Sequence, residues 1–265
     1  MEKIGVIVGN GKLPLYFLDE AEEKKLEIYP IGLFDTIEPE IKEHKNFKMF
    51  NIGEAGEIMT HLIKHDIKKL IMLGKVEKDI IFKEMKLDEI GEALLKKLPD
   101  RKDETLLFGI ILFFRINGVK VLPQTYLLKN MMFKKKCYTN SKPTKDEMKT
   151  IKIGKEAAKA LSKVDAGQSV MCKDSSVVAL EGIEGTDKTI LRGGELAGNG
   201  TILVKMARPQ QDMRVDVPAV GIGTIERLIE IGARGVVGES GRMLFLEKSK
   251  CIDLANENGL FIIGE

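Results

Sequence analysis

The chain has 265 residues, and its 42 lysines and arginines against 40 aspartates and glutamates leave a formal charge of +2. This near balance argues against a dedicated nucleic-acid-binding protein, because such proteins carry a large excess of positive charge. Hydrophobic residues make up 43% of the chain and charged residues 31%, which is typical of a folded globular protein rather than a disordered or fibrous one. A chain of this length usually forms two domains.

The first half of the chain alternates short apolar runs with amphipathic segments. In chain order, the predicted elements are a strand at 4–8, a helix at 15–26, a strand at 28–33, a helix at 56–65, a strand at 70–73, helices at 87–98 and 104–116, and a strand at 120–122. This alternation indicates βαβ units and a mostly parallel sheet. We therefore predict an α/β protein whose N-terminal domain, residues 1–132, is Rossmann-like.

A basic stretch, residues 133–146, is predicted to be a linker, because it contains proline and shows little apolar periodicity. Ten of the 26 glycines precede residue 147, which leaves 16 in the shorter remainder. The higher glycine density indicates more tight turns and a different fold. We predict a distinct glycine-rich α/β or α+β domain over 147–265. Its predicted elements are helices at 148–161, 222–231 and 248–258 and strands at 177–180, 201–204 and 243–246.

Three further features of the sequence limit where and how the protein acts. The most apolar segment past the first strand, 106–114, has nine residues, whereas a membrane-spanning helix needs about 20, so we predict a buried helix there. The three cysteines form no CxxC pair and are odd in number, which fits a reducing cytosol. All three histidines, at 44, 61 and 65, lie in the first quarter. Chemistry in the C-terminal half must therefore use carboxylates, lysine, arginine, hydroxyls or a bound metal.

A glycine loop follows the first predicted strand and opens the first predicted helix. It consists of Gly9, Asn10, Gly11, Lys12, Leu13 and Pro14. Proline suits the first helical turn, and the N–H groups there can hold a phosphate. A dinucleotide fingerprint would need glycine at position 14, so a tight turn without a ligand remains an equal alternative. The pair Gly74 and Lys75 follows another strand of the same sheet, so we expect the two loops to be neighbours.

In the C-terminal half, polar groups cluster in three segments that contain acids: 165–168 (DAGQ), 181–187 (EGIEGTD) and 211–218 (QDMRVDVP). Each segment places acids beside glycine or proline near an apolar strand. With no histidine nearby, oxygen ligands favour Mg²⁺, or Mn²⁺, over zinc, and Lys205 and Arg192 can face phosphate oxygens. The pattern favours metal-assisted attack on a phosphoryl centre. Any single one of these acids is more often only a turn former or a helix cap.

The E-G-x-E-G-T-D and Q-D-x-R-x-D-x-P strings, in this order and together with the glycine loop, resemble the UDP-2,3-diacylglucosamine pyrophosphatases of lipid A biosynthesis. The resemblance is to the histidine-poor two-domain form, distinct from the calcineurin-like enzymes, and it runs nearly end to end. It implies hydrolysis of UDP-2,3-diacylglucosamine to UMP and 2,3-diacylglucosamine 1-phosphate. It also implies a Mg²⁺ cofactor, with water attacking the phosphorus on the sugar side.

The same resemblance implies roles for individual residues. It makes Asp216 the catalytic aspartate, with Asp212 close behind. Metal ligands are expected among Asp216, Asp212, Glu184 and Asp187. Substrate-binding residues are expected at Gly9, Asn10, Gly11, Lys12, Leu13, Pro14, Gly74, Lys75, Gln168, Glu184, Gly185, Thr186, Asp187, Arg192, Lys205, Gln211, Arg214 and Thr224.

The implied partner is a lipid-linked UDP-sugar. We expect a cytoplasmic protein that touches the inner-membrane surface transiently, through the basic run Lys134 to Lys136, because the substrate resides in a bilayer. A homodimer is left open as a further partner, and nucleic acid is not expected. Two other functions compete with the hydrolase: a nucleotide-dependent oxidoreductase, based on the strand, glycine loop and helix, and a non-catalytic carrier of nucleotide or lipid.

Overall fold

A computed structural model describes residues 2–74, 87–96, 98 and 103–265. The chain divides into two compact units. Unit 1 comprises Met1–Leu128 together with Asp212–Asp216, and unit 2 comprises Lys129–Gln211 and Val217–Glu265. Within the ranges that the structure describes, no helix has the length and apolar character needed to cross a membrane. The bounds expected from sequence, 1–132, 133–146 and 147–265, stay predictions.

Unit 1 is built on a five-stranded parallel sheet. Its strands are β1 (Lys3–Val8), β2 (Glu27–Gly32), β3 (Lys48–Met49), β4 (Lys69–Leu73) and β5 (Lys120–Val121), in the spatial order β3-β2-β1-β4-β5. Positions in β1 and β2 are nearly all buried, as in parallel sheets whose two faces are covered. The strand order reverses between β1 and β4, which makes this the topological switch point of the sheet. The prediction of a Rossmann-like, mostly parallel sheet is confirmed.

The helices described in unit 1 are α1 (Leu13–Glu23), α2 (Pro39–Lys42), α3 (Ala55–Lys64), α4 (Glu89–Lys96) and α5 (Asp103–Ile116). The core of unit 1 includes Phe50, Leu62 and Phe114, and Val215 packs against it. The backbone N–H of Gln124 also donates to the carbonyl oxygen of Met213 at 2.8 Å. These contacts explain why Asp212–Asp216 belongs to unit 1, although the chain on both sides of it belongs to unit 2.

Unit 2 is built on a mixed six-stranded sheet. Its strands are β6 (Lys136–Cys137), β7 (Ser169–Lys173), β8 (Ser176–Leu180), β9 (Ile202–Lys205), β11 (Gly235–Gly238) and β13 (Phe261–Gly264), in the order β6-β13-β11-β9-β7-β8; β10 (Ala219–Val220) and β12 (Leu244–Phe245) form a separate parallel pair. Strands β9, β11 and β13 run parallel, whereas β6 and β7 run antiparallel to their neighbours. Because β8 is antiparallel to β7, it runs in the same direction as β9. The carboxyl ends of β8, β9, β11 and β13 therefore share one edge.

Alternate residues of the unit 2 strands face opposite sides of the sheet, as the two-residue period of a strand requires. The helices of unit 2 are α6 (Lys145–Lys163), α7 (Gly185–Ala197), α8 (Ile222–Glu230) and α9 (Lys248–Glu257), with a 3-10 turn at Lys129–Met131. On one face, Ile202 and Val204 pack in a cluster with Ile151 of α6. On the other face, Leu203 belongs to a cluster with residues of α7, α8 and α9. The prediction of a second, distinct fold is confirmed.

The stretch 133–146, which its composition marked as a linker, contributes to the structure of unit 2. Phe133 is 1% exposed and stacks on Phe245, with ring centroids 4.7 Å apart. The two residues of β6 pair with β13. A two-residue strand is too short to show periodicity in the sequence. Three lysines follow Phe133 directly, so the composition of the stretch does not indicate a buried aromatic residue.

Helix α7 was not among the predicted elements, because acids beside glycines, as in residues 181–187, are typical of turns and helix caps. Two glycines, Gly193 and Gly194, lower the helix propensity of this segment. In the fold they allow close packing. A Cβ atom on Gly193 would lie 2.7 Å from Met171, and one on Gly194 would lie 2.6 Å from Ile231. Tertiary packing therefore outweighs local propensity here.

We expect Thr201→Val to stabilise the protein. The Thr201 side chain is fully buried, and its hydroxyl has no hydrogen-bond partner among the described residues. A buried unsatisfied hydroxyl costs about 1 to 3 kcal/mol, and valine has nearly the same shape as threonine. Urea denaturation should show a rise of about 1 kcal/mol in the unfolding free energy. A fall instead would mean that the hydroxyl makes a bond, for example to a buried water.

We expect the free energy of unfolding to decrease as the pH drops below 6.5, because of His61. This side chain is 8% exposed and packs against the rings of Tyr29, Phe50 and His65. Burial, followed by the charge of His65, lowers the pKa of His61 from 6.5 to about 4. Between these values the unfolded chain takes up a proton that the folded chain does not, so this stability is present above pH 6.5 and is lost toward pH 4.

From pH 7.5 to pH 5 the loss attributable to His61 should be about 2 kcal/mol of unfolding free energy. Urea denaturation at both pH values, compared with His61→Phe, measures it. Phenylalanine keeps the ring packing and removes the titrating group, so the variant should show a smaller loss. Equal losses in the two proteins would contradict the assignment.

Candidate active site

The predicted glycine loop of unit 1 lies at the topological switch point. The backbone N–H of Gly9, directly after β1, donates to the carbonyl oxygen of Leu73, at the end of β4, at 2.7 Å. Gly74 has φ of +92°, and a Cβ atom there would lie 2.5 Å from the carbonyl carbon of Gly9. The loops after β1 and β4 are thus in contact, as expected from the sequence. Lys75 lies outside the described residues.

The chain turns directly from this loop into α1. Pro14 occupies the first turn, and Lys12 is the N-cap residue but makes no capping hydrogen bond with its side chain. Gly11 has φ of +95°. The loop after β2 joins in, because Oγ1 of Thr36 donates to Oδ1 of Asn10 at 2.6 Å. Crevices at the carboxyl ends of strands at a switch point are where open α/β sheets bind ligands.

The two predicted catalytic acids lie in the segment Asp212–Asp216 of unit 1, and their surroundings differ. Arg214 donates from Nε to Oδ1 of Asp212 at 2.9 Å and from Nη2 to Oδ2 at 2.6 Å, and its backbone N–H also donates to Oδ1. The hydrogen bonds from the Arg214 side chain are the largest cause that lowers the pKa of Asp212 below its usual value. Asp212 is therefore ionised and oriented within this segment.

Asp216 closes the same segment in a backbone conformation that few residues adopt. Its φ is +53°, in the left-handed region, and its side chain is exposed. A non-glycine residue with positive φ is uncommon, and aspartate and asparagine tolerate this region best. The carboxylate that the motif resemblance makes catalytic is thus held on a constrained turn and remains accessible to solvent.

In unit 2, three predicted site residues, Gln168, Thr186 and Lys205, meet two further residues at the carboxyl edge of the sheet. Glu181 follows β8, and its Oε2 accepts a hydrogen bond from the backbone N–H of Gln168 at 2.9 Å. Its Oε1 accepts one from the hydroxyl of Thr186 at 2.8 Å. The ammonium group of Lys205, at the end of β9, donates to the same hydroxyl at 3.2 Å. Ser169 approaches that hydroxyl as well, at 3.1 Å.

Glu181 and Ser169 were absent from the predicted site, although Glu181 begins one of the three acidic segments. The structure shows that Glu181 is 9% exposed and Lys205 8% exposed. Charged side chains are almost never buried to this degree unless they are paired. The available sequence signal was an acid directly after a strand, which also occurs in ordinary turns.

The start of α7 holds the other predicted residues of unit 2. Glu184 is the N-cap residue, Gly185 has φ of +81°, and Asp187 lies in the first turn. Arg192 donates to Oε1 of Glu184 at 2.5 Å and to the carbonyl oxygen of Leu180 at 2.7 Å. The pKa of Glu184 is lowered, mainly by a hydrogen bond from its own backbone N–H and then by Arg192. Glu184 and Arg192 thus act as a pair.

Two further predicted residues lie elsewhere in unit 2. Thr224 is in the first turn of α8, where its N–H donates to the carbonyl oxygen of Gly221 at 3.1 Å. The N–H of Gln211 donates to the carbonyl oxygen of Arg208 at 3.0 Å. As far as the described residues show, Thr224 does not join the hydrogen-bonded group around Thr186.

The carboxylates of the candidate site suit a metal ion that needs few protein ligands. No group of three or more histidine, cysteine, aspartate or glutamate residues suited to a metal ion occurs in the described part of the chain. Of the four predicted ligands, Asp212 is paired with Arg214 and Glu184 with Arg192. Mg²⁺ is commonly held by only one or two carboxylates, together with substrate phosphates and water. Asp212 and Asp216, which lie four positions apart in the sequence, supply two carboxylates and so meet this requirement.

Comparisons with known proteins cover both units. The LpxI N-terminal domain family matches residues 3–131, and the LpxI C-terminal domain family matches residues 134–263. A curated relative from Caulobacter vibrioides, named UDP-2,3-diacylglucosamine pyrophosphatase LpxI, is 27% identical over 275 residues. That alignment spans 100% of this chain and 98% of the relative.

Proposed function

Because the chain belongs to the LpxI family, we propose that it hydrolyses the pyrophosphate bond of UDP-2,3-diacylglucosamine, releasing UMP and 2,3-diacylglucosamine 1-phosphate. The observation that carries the proposal is the match of both family domains along the chain, together with an alignment that spans 98% of a relative named for this substrate. The site geometry supports it, since each unit presents polar groups suited to phosphate at a carboxyl edge of its sheet.

In the proposed reaction, water attacks the phosphorus on the sugar side. A bond forms between the water oxygen and this phosphorus, and the bond from the phosphorus to the bridging oxygen breaks. UMP leaves with the bridging oxygen, and the carboxylate of Asp216 orients the water and takes up its proton. The ammonium group of Lys205 faces the phosphate oxygens, where a fixed cation stabilises the charge that develops.

Mg²⁺ is the proposed cofactor, with Mn²⁺ as a substitute. Asp216 and Asp212 would hold the ion, and Glu184 and Asp187 are the further candidates. When bound, Mg²⁺ neutralises charge on the phosphates. Arg214 keeps Asp212 ionised, which is the state that binds a cation.

The proposed location is the cytoplasm, with transient contact at the inner-membrane surface. Lys134, Lys135 and Lys136 are all exposed in unit 2. A cluster of lysines favours an anionic membrane surface, and the proposed substrate is a lipid. Cosedimentation with liposomes that contain anionic lipid should fall when the three lysines are changed to glutamine; unchanged cosedimentation would remove this run from the proposal.

The decisive experiment is incubation with UDP-2,3-diacylglucosamine in ¹⁸O-labelled water, with Mg²⁺ and with EDTA. We expect UMP to appear only with Mg²⁺, and the label to enter 2,3-diacylglucosamine 1-phosphate. Label in UMP would mean attack on the uridine side, and full activity in EDTA would contradict the metal. Binding of the substrate without release of UMP, in folded protein, would favour the carrier function.

A further inference from the structure

Two buried charged side chains at the carboxyl edge of the unit 2 sheet are linked by one hydroxyl. Glu181 follows β8, and Lys205 ends β9. The Oγ1 atom of Thr186, in the first turn of α7, lies 2.8 Å from Oε1 of Glu181 and 3.2 Å from Nζ of Lys205. Burial makes such a group costly unless every member is paired, so its arrangement is strongly constrained.

The direction of each hydrogen bond in this group follows from the number of protons available. A threonine hydroxyl has one proton, and that of Thr186 is donated to the Glu181 carboxylate. Toward Lys205 and Ser169 the same oxygen must therefore accept. The charge on Glu181 fixes the rotation of the hydroxyl, and the hydroxyl presents its lone pairs to the ammonium group.

Both oxygens of Glu181 are used as acceptors. While Oε1 accepts from Thr186, Oε2 accepts from the backbone N–H of Gln168 at 2.9 Å. Only a carboxylate can accept at both positions, because an amide offers one oxygen and one NH₂ group. Glutamine at position 181 would therefore face either Thr186 or Gln168 with a donor, although its shape is the same.

Lys205 is held at a second point, since its ammonium group also donates to the carbonyl oxygen of Ala219 at 3.1 Å. A lysine has a flexible four-carbon stem, so an unrestrained ammonium group would have to be ordered during the reaction. A cation that is already fixed stabilises developing charge without that reorganisation.

We propose that Glu181 is a positioning residue that acts through Thr186 to hold the ammonium group of Lys205 against the phosphate oxygens of the substrate. The inference rests on the proposed function, in which Lys205 faces those oxygens. It gives Glu181 a role within the hydrogen bonding of the protein itself, because each of its oxygens accepts a hydrogen bond from a donor of the protein.

The test uses four variants of the full chain. Thr186→Val removes the hydroxyl and keeps the shape, Thr186→Ser keeps the hydroxyl, and Glu181→Gln keeps the size but not the two acceptors. Thr201→Val is the matched control, because it is the same substitution just before the start of β9, outside the site. Steady-state kinetics give kcat and KM, and thermal melts confirm folding.

We expect Thr186→Val and Glu181→Gln to lower kcat by about 10- to 100-fold with KM changed by less than about threefold. Thr186→Ser should recover most of kcat, and Thr201→Val should match the parent protein. If Thr186→Val is as active as Thr201→Val, the positioning role is wrong. It is also wrong if Glu181→Gln folds and retains full kcat, which would leave Thr186 as a simple substrate contact.

A measurement without substrate separates this inference from the proposed function. The ¹⁵N-ammonium NMR signal of Lys205, assigned by its loss in Lys205→Met, should be visible in the parent and in Thr186→Ser, because hydrogen bonds slow proton exchange. In Thr186→Val the signal should weaken and exchange faster with water, because the hydrogen bond to Thr186 is lost while the one to Ala219 remains. An exchange rate equal to that of the parent overturns the positioning role, whereas absence of UMP from a parent protein that shows the signal overturns only the hydrolase.

Discussion

Replacing Asp216 with asparagine is expected to lower kcat by about 100-fold or more, and to leave the melting temperature almost unchanged. The carboxylate is exposed at the end of Asp212–Asp216, so removing its charge leaves no cavity. Asparagine tolerates the left-handed backbone that this position requires, with its φ of +53°. The variant therefore tests the negative charge without adding backbone strain.

The control for this substitution is Asp174→Asn. Asp174 has φ of +47° and is exposed in the turn between β7 and β8, away from the predicted site residues in the sequence. The same chemical change in the same backbone region should leave both kcat and the melting temperature at parent values. If Asp216→Asn turns over UDP-2,3-diacylglucosamine as fast as the control Asp174→Asn, Asp216 has no part in the mechanism.

The regular elements could be predicted from local pattern, because burial on one or both faces leaves a periodic trace. The strands β1, β2 and β4 and the helices α1 and α3 all appear near their predicted bounds. Even the contact between the loops at Gly9 and Gly74 followed from a general rule of parallel sheets.

Long-range packing left no such trace. The segment Asp212–Asp216 belongs to unit 1 because Val215 and the backbone of Met213 contact residues far away in the sequence. The sequence of an acidic turn does not show whether the turn is exposed to solvent or packed against distant residues. Likewise, Glu181 became a candidate only when its burial and its two donors were visible, since the identity of an acid does not reveal its partners.

Gly74→Ala is expected to destabilise the protein strongly. Its φ of +92° is unfavourable for any residue with a Cβ atom, at a cost of about 1 to 2 kcal/mol. The added carbon would also lie 2.5 Å and 2.6 Å from the carbonyl carbon and oxygen of Gly9. These are backbone atoms, so relief requires moving the loop after β1 away from β4. We expect a loss of at least about 3 kcal/mol and a fall in melting temperature of about 10 °C.

Gly118→Ala separates the two causes. Gly118, just before β5 in the same unit, has φ of +83°, and among the described residues a Cβ atom there would meet nothing within 4 Å. It therefore carries the backbone cost alone, about 1 to 2 kcal/mol. Thermal and urea denaturation should show a much lower stability for Gly74→Ala than for Gly118→Ala. Equal losses would mean that the loops after β1 and β4 can separate freely, and a crevice that opens so easily could not hold a phosphate in a fixed position at the switch point.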